Sequence, residues 1–354
     1  MDNEERFLIT GAGGFIGGWI AETLYLEGKA SVRAGIHRWS GAPRLARFPM
    51  DIVPCNILNP EEVHRAMKGV THVIHCAKGA SAESIIKGTE NMLEAASQNG
   101  VRRFIQMSTA AVYGELVGLV DENCQCSKAG WDYSDSKLDA EKVCWDYHAK
   151  DLPLTILRPS IVYGPFSKTW ILNIGFKLLS GTWGKFKSIG DGTCNLIYIS
   201  DLVNATLLSA RNERAIGEIF NLNGPEALTW NEYFAEFNSA LGLPELRELD
   251  PRRTRLRSNL IAPIRASALF ARKHFERSIK RMAGNFDPIK HILENLEQKI
   301  RLTPRQNDLG LYNRKAYYSD KKIRELLGFK PCIDVDKGLK LSVLWMEQVG
   351  AQIS

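Results

Sequence analysis

Tyr133 and Lys137, in the run Tyr133-Ser134-Asp135-Ser136-Lys137, are the pair of residues best suited to moving a proton. The pattern continues through Ala140, Val143 and Trp145, which predicts a helix. Residues four apart share a helical face, so the two side chains point the same way. A phenol with an ordinary pKa of about 10 is a poor base at neutral pH. A lysine cation one turn away stabilises the phenolate and lowers that value. The pair then works as a general acid/base on a carbinol oxygen. The lysine is also long enough to reach ribose hydroxyls. Upstream, Ser108-Thr109 closes a strand-like run. In open α/β sheets, ligands bind beyond the carboxyl ends of the strands.

These residues need elements to hold them. Phe7-Leu8-Ile9 reads as a short strand, followed by Thr10-Gly11-Ala12-Gly13-Gly14-Phe15-Ile16-Gly17 and a helical pattern through Leu26. Glycines at 11, 14 and 17 fit a strand, a tight turn and a helix N-terminus that receives a pyrophosphate. A second strand is expected over Ser31–Ile36. It ends on His37-Arg38, with Arg33 nearby, where an acid would suit a free ribose 2′-hydroxyl. A cation there suits a 2′-phosphate, so NADP(H) is expected over NAD(H). Further strands are predicted at Asp51–Pro54, His72–Ala77 and Arg103–Ser108, with helices at Glu61–Met67 and Thr89–Ser97 between them. This alternation predicts an α/β fold built on a Rossmann-type doubly wound parallel sheet.

Composition excludes other classes. The chain has 354 residues, 44% hydrophobic and 24% charged, as in an ordinary globular protein. No apolar run approaches the roughly 18 residues of a membrane span. Met1–Arg6 is polar, without the anatomy of a signal peptide. Seven scattered cysteines, with Cys124 and Cys126 as an isolated CxC, read as reduced thiols of a cytoplasmic protein, and no metal site is expected.

The net charge of +6 is uneven. Between Pro251 and Gln306, fourteen Lys or Arg stand against four acids, a local charge of +10, which leaves −4 for the rest. Within this segment Ile264, Ala268, Ala271, Phe275, Ile279 and Met282 recur at helical spacing, with Pro263 expected in the first turn. A second helix is expected over Ile289–Ile300. Three readings stay open: a solvated basic face, a peripheral contact of 260–285 with anionic membrane, or an arginine clamp on a phosphorylated substrate. No nucleic-acid recognition motif is present.

The ordered motifs resemble the extended short-chain dehydrogenases/reductases, the NAD(P)-dependent epimerase/dehydratase group. They are Thr10–Gly17, His75-Cys76-Ala77, Gly88-Thr89 with Asn91, Gly100–Phe104 and Ser108-Thr109-Ala110-Ala111-Val112-Tyr113-Gly114. Tyr133/Lys137, Leu157–Pro165, Gly190-Asp191-Gly192, Ile197–Ala205, Gly217–Asn223, Tyr318–Lys322 and Leu327–Pro331 complete the set. The resemblance implies hydride transfer at a secondary alcohol or ketone. Tyr133 would be the proton donor/acceptor, Lys137 its tuner and ribose ligand, and Thr109 the hydrogen-bond partner of the reacting oxygen. Candidate cofactor contacts are Gly11, Gly13, Gly14, Phe15, Ile16, Gly17, Arg38, Asn56, Ile57, Cys76, Ala77, Lys78, Lys137, Pro159 and Ile161. Candidate substrate contacts are Lys78, Ala110, Tyr163, Asn195 and Arg314. A cofactor-binding domain is expected over 1–165, with return segments near 195–223. A smaller C-terminal α/β substrate lobe is expected from 166–194 and 224–354, carrying the basic helical insertion at 251–306. A homodimer is implied by the resemblance alone.

Departures refine the expectation. Ala110-Ala111 stand where the resembled 4,6-dehydratases carry Asp-Glu, so dehydration is not expected. Ile85 replaces a frequent Asn, and the stretch between His75 and Gly88 is short. Thr193-Cys194-Asn195 follows Gly192 where sugar-nucleotide enzymes often place a diphosphate-gripping Arg. The expected substrate is a nucleotide- or carrier-linked sugar, reduced at a 4-keto group or epimerised. The alternatives are a hydroxysteroid-dehydrogenase-like or ketone reductase on an apolar substrate, and a non-catalytic NADP-binding scaffold.

Overall fold

The computed structural model describes residues 4–250, 252–256, 259–263, 267, 303–304 and 306–350. The chain divides into two compact units. The first comprises the residues through Ser167, Asn195–Glu226 and Ala316–Asp334.

In the first unit, strand β1 (Arg6–Thr10) runs through the glycine turn into helix α1 (Phe15–Glu27). Then come β2 (Ser31–Ile36), β3 (Asp51–Pro54), α2 (Pro60–Met67), β4 (His72–His75), α3 (Ala82–Gln98) and β5 (Arg103–Met107). They are followed by β6 (Gly118–Val120), α4 (Asp132–His148), β7 (Leu154–Pro159) and β8 (Ile161–Tyr163). The return segments supply β9 (Leu196–Tyr198), α5 (Ile199–Arg211), β10 (Glu218–Leu222), β11 (Ala316–Tyr318) and α6 (Lys321–Leu327).

Seven strands pair in the order β10-β7-β5-β4-β1-β2-β3, all parallel. This is a Rossmann-type sheet, and its carboxyl edge carries Thr10, His75, Ser108 and Pro159. Local chemistry starts its helices. Asn59 caps α2 by accepting the Glu61 and Glu62 N–H groups, with Pro60 in the first turn. Ser81 and Ser84 form a reciprocal capping box on α3. That cap starts α3 at Ala82, well before the Thr89 expected from the apolar pattern alone. One face of the sheet buries Leu8, Val73, Phe104 and Leu154 against Met92, Leu93 and Ala96 of α3 and Cys144 of α4.

Residues 316–334 belong to this unit, whereas the sequence reading left them in the other lobe. Two interactions bring them back. Strand β11 pairs with β6, Tyr318 opposite Val120. Asn195 donates to the Ala316 carbonyl at 2.8 Å and accepts the Tyr318 N–H at 3.1 Å. Neither leaves a mark in local sequence spacing.

The second unit comprises Lys168–Cys194, Ala227–Lys315 and the residues from Val335 onward. Its core is aromatic. Trp230 meets Tyr312 at a tilt, 4.6 Å between ring centres, and Trp183 meets Phe186 edge-on at 5.0 Å. Helix Trp230–Ala240 supplies Tyr233, Phe234 and Phe237, all fully buried. Residues 252–256 and 259–263 are helical, so Pro263 follows helical residues and does not open a helix. Residues 264–266 and 268–302, which hold most of the expected basic helices and of the expected membrane contact at 260–285, lie outside the described residues. Among the described residues no helix is long and apolar enough to cross a membrane.

Candidate active site

The glycine turn is built by close approach. Gly11 has φ +67°, and a Cβ there would meet the Ala77 backbone at 2.9 Å. A Cβ on Gly17 would stand 2.5 Å from the Gly11 carbonyl oxygen. Gly13, Gly14, Phe15 and Ile16 complete the bend into α1. No side chain caps this helix and its first turn holds no acid. The first-turn N–H groups and the helix dipole are thus left for an anion, which fits a dinucleotide pyrophosphate.

The contacts expected for the adenosine ribose lie at the end of β2. Arg33 is committed elsewhere: it bonds Asp51 at 2.6 Å and the Ala66 and Lys68 carbonyls at 2.9 and 2.8 Å. Arg38 is exposed, and its side chain makes no hydrogen bond or ion pair with the described residues. Asn56 is held after β3, its N–H donating to Glu62 and its Oδ1 accepting the Leu58 N–H. Asn91 of α3 donates to the Ile57 carbonyl at 2.9 Å, which pins the same loop.

At the centre of the edge, Thr10 Oγ1 accepts the Ala77 N–H at 3.2 Å and pairs with His75 Nδ1 at 2.7 Å. Burial, helped by the Lys137 charge, pushes His75 down to about 3, so its ring is neutral. Cys76 is a thiol pushed up to about 12 by burial. Lys78 is exposed, with its Nζ 4.9 Å from the centre of the Tyr133 ring.

Helix α4 places Tyr133 and Lys137 on successive turns of one face. Asp135 accepts the Ala129 and Gly130 N–H groups, fixing the loop that enters this helix. Lys137 is buried, and its Nζ donates to the Met107 carbonyl at 2.8 Å. Burial lowers its pKa to about 8. Tyr133 keeps 42% of its surface exposed, yet desolvation raises its pKa. That direction is wrong for a base, so a usable phenolate needs a cation.

The two hydroxyls at the end of β5 have different fates. Ser108 is buried and donates to Glu141 Oε1 at 2.5 Å. Thr109 is half-buried, and its Oγ1 accepts the Ala111 N–H at 3.2 Å, capping the short turn Ala110–Tyr113. Its O–H proton is uncommitted and available to an incoming oxygen.

Below them lies a network that the sequence reading missed. Arg158 of β7 grips Glu141 through Nε and Nη2 at 3.1 and 2.6 Å, with side-chain exposures of only 5% and 3%. Arg158 also donates to Tyr113 Oη at 2.9 Å, and Tyr113 donates to Asn221 at 2.8 Å. The available signal was that Glu141 falls four residues after Lys137, on the same helical face.

The remaining candidates are spread out. Ala110 is buried, and Pro159 and Ile161 flank the β7–β8 junction. Tyr163 is buried, donates to the Asp334 carbonyl at 3.3 Å and is pushed far up by burial. The Asn195 amide is occupied in holding β11. Arg314 lies in the second unit, where its backbone packs against Gly192: a Cβ on Gly192 would meet the Arg314 nitrogen at 2.7 Å.

A model of the NAD dependent epimerase/dehydratase family matches residues 7–223. A UDP-glucose 4-epimerase from Vibrio cholerae is 28% identical over 261 residues, 68% of this chain and 77% of that one. A 3-beta-hydroxysteroid dehydrogenase from Mycolicibacterium neoaurum is 26% identical over 267 residues, covering 68% and 72%. The solved UDP-glucose 4-epimerase of Thermotoga maritima with UDP-glucose superposes with a TM-score of 0.72. It is 21% identical and covers 97% of this chain and 99% of that chain.

Proposed function

Because the chain belongs to the NAD dependent epimerase/dehydratase family, we propose that it transfers hydride reversibly at a secondary carbinol of a nucleotide- or carrier-linked sugar, in an epimerisation or a 4-keto reduction. The carrying observation is the sorting of hydroxyls beside α4: Ser108 is committed to Glu141, while Thr109 and Tyr133 keep theirs available.

The nicotinamide, when bound, supplies or accepts the hydride. The chain's own residues do the rest. The first turn of α1 holds the pyrophosphate. Thr109 donates to the reacting oxygen and fixes its distance from Tyr133. Tyr133 gives the carbinol oxygen its proton, or takes it, and Lys137 secures the helix face to the end of β5 through Met107. Ala110-Ala111 offers no acid or base for eliminating water, which favours epimerisation or reduction over dehydration. We propose NADP(H) over NAD(H), on Arg38, exposed and without a side-chain partner among the described residues, and on the lack of an acid at the end of β2.

A reductase acting on an apolar ketone is the second reading. It is favoured by the missing arginine after Gly192 and by the likeness to the hydroxysteroid dehydrogenase.

The test begins with the purified protein. Denaturation releases any retained cofactor for identification by absorbance and mass, and titration compares NADPH with NADH. Retained NAD(H) would favour a cofactor-recycling epimerase and overturn the role of Arg38. An empty protein that binds NADPH more tightly would favour a reductase, to be screened on sugar and apolar ketones. No affinity for either dinucleotide would sink the proposal.

A further inference from the structure

Lys137 is usually sufficient in concept to explain a Tyr-x-x-x-Lys pair, but here its geometry leaves a deficit. Its ammonium lies under α4, bonded to the Met107 carbonyl at 2.8 Å, among Cys76, Cys144 and Glu141. Burial lowers its pKa to about 8. Tyr133 is raised by desolvation. Its near charges are Asp132 and Asp135 on its own helix, with Asp135 turned to the Ala129 and Gly130 N–H groups. From the segment after β4 comes Lys78.

Lys78 stands three residues beyond the end of β4, the strand that neighbours β5, which ends just before Ser108-Thr109. Its Nζ lies 4.9 Å from the Tyr133 ring centre. A cation at that distance over a ring face is attracted to the π system. It is attracted far more to a ring that carries a negative charge, so it favours the phenolate. Resting on the reading of Tyr133 as the acid/base, we propose that Lys78 is a second cation of the catalytic tyrosine, seated over its ring and stabilising the phenolate in addition to Lys137.

The role differs from that of a substrate anchor. An anchor contributes to binding and leaves the ionisation of Tyr133 alone. A second cation alters that ionisation before any substrate arrives.

The test uses the complex with oxidised dinucleotide and needs no turnover. Tyrosinate absorbance near 295 nm is titrated between about pH 5 and pH 10, and the Tyr133→Phe signal is subtracted to isolate Tyr133. Lys78→Met is expected to raise the Tyr133 midpoint by about one pH unit, and Lys78→Arg to restore it. The acid-side limb of the kcat profile should move with it, while KM changes by less than about threefold. Circular dichroism checks that the exposed substitution leaves the fold intact. An unchanged midpoint overturns the proposal, as does a wild-type complex with no Tyr133 step below about pH 9. A raised KM with an unmoved pH profile also overturns it, assigning Lys78 to substrate binding. Failure to bind either dinucleotide defeats the functional reading itself and removes the proposal with it.

Discussion

Two layers of the same sheet edge handle polarity in opposite ways. The lower layer is Ser108, Glu141, Arg158, Tyr113 and Asn221, buried and mutually bonded. The rim above it is Thr109, Tyr133, Lys78 and Arg38, more exposed and carrying uncommitted donors. Adjacent residues fall into different layers: Ser108 holds the fold, and Thr109 faces outward. A buried polar group left unpaired is costly, so the lower layer must be closed. A group that is to bind a ligand must keep capacity in reserve, so it sits where water can satisfy it meanwhile. The two layers should therefore fail differently when altered.

The largest effect belongs to the rim. Tyr133→Phe should lower kcat about 10³-fold while cofactor affinity, read by fluorescence titration, stays within about twofold. Retained turnover would remove Tyr133 from the chemistry. Next, in the lower layer, Glu141→Ala or Arg158→Ala leaves a buried charge alone. Either should lower unfolding free energy in urea by about 3–5 kcal/mol. A loss below about 1 kcal/mol would mean the network is not the closed layer described.

The acid response follows from two buried imidazoles. Burial depresses His72 to about 4 and His75 to about 3, from 6.5. Below pH 6.5 the unfolded chain binds protons that the folded protein refuses, so stability falls as pH drops from 6.5 towards 4 and 3. The loss should reach about 3 kcal/mol for each imidazole by pH 4, and His75→Asn should roughly halve its slope. An equal slope in the variant would relocate the proton uptake.

The paired hydroxyls give the most direct contrast. Ser108→Ala should cost about 1.5 kcal/mol of stability and change kcat by less than about threefold. Thr109→Val should do the reverse, lowering kcat more than about tenfold with stability kept within about 0.5 kcal/mol. Exchange of these two results would invert the assignment of layers. The smallest effect concerns Gln106, in register with His75 and fully buried, whose amide finds no partner among the described residues. Gln106→Leu should be neutral or stabilising by about 1 kcal/mol in the same urea assay. A clear loss would reveal an internal partner for the amide.

Much of this was legible beforehand. The strand, glycine turn and helix at the N-terminus are local, and so is the alternation of strands and helices. Tyr133 and Lys137 share a face because helical spacing requires it. That Arg33 is tied up was not legible, because only the pairing of β2 with β3 puts Asp51 against it. Trp183 and Tyr198 are both buried, which local spacing does not distinguish from lining a pocket.

The sequence by itself determined the glycine turn, the doubly wound sheet and the shared helical face of Tyr133 and Lys137, since each depends on residues close along the chain. Tertiary structure alone decided which of Ser108 and Thr109 bonds Glu141, which of Arg33 and Arg38 pairs with Asp51, where 316–334 belongs and what stands over the Tyr133 ring. Each of those depends on hydrogen bonds, ion pairs or ring contacts between segments tens of residues apart. No local spacing encodes them, because they form only when the strands have taken their order in the sheet.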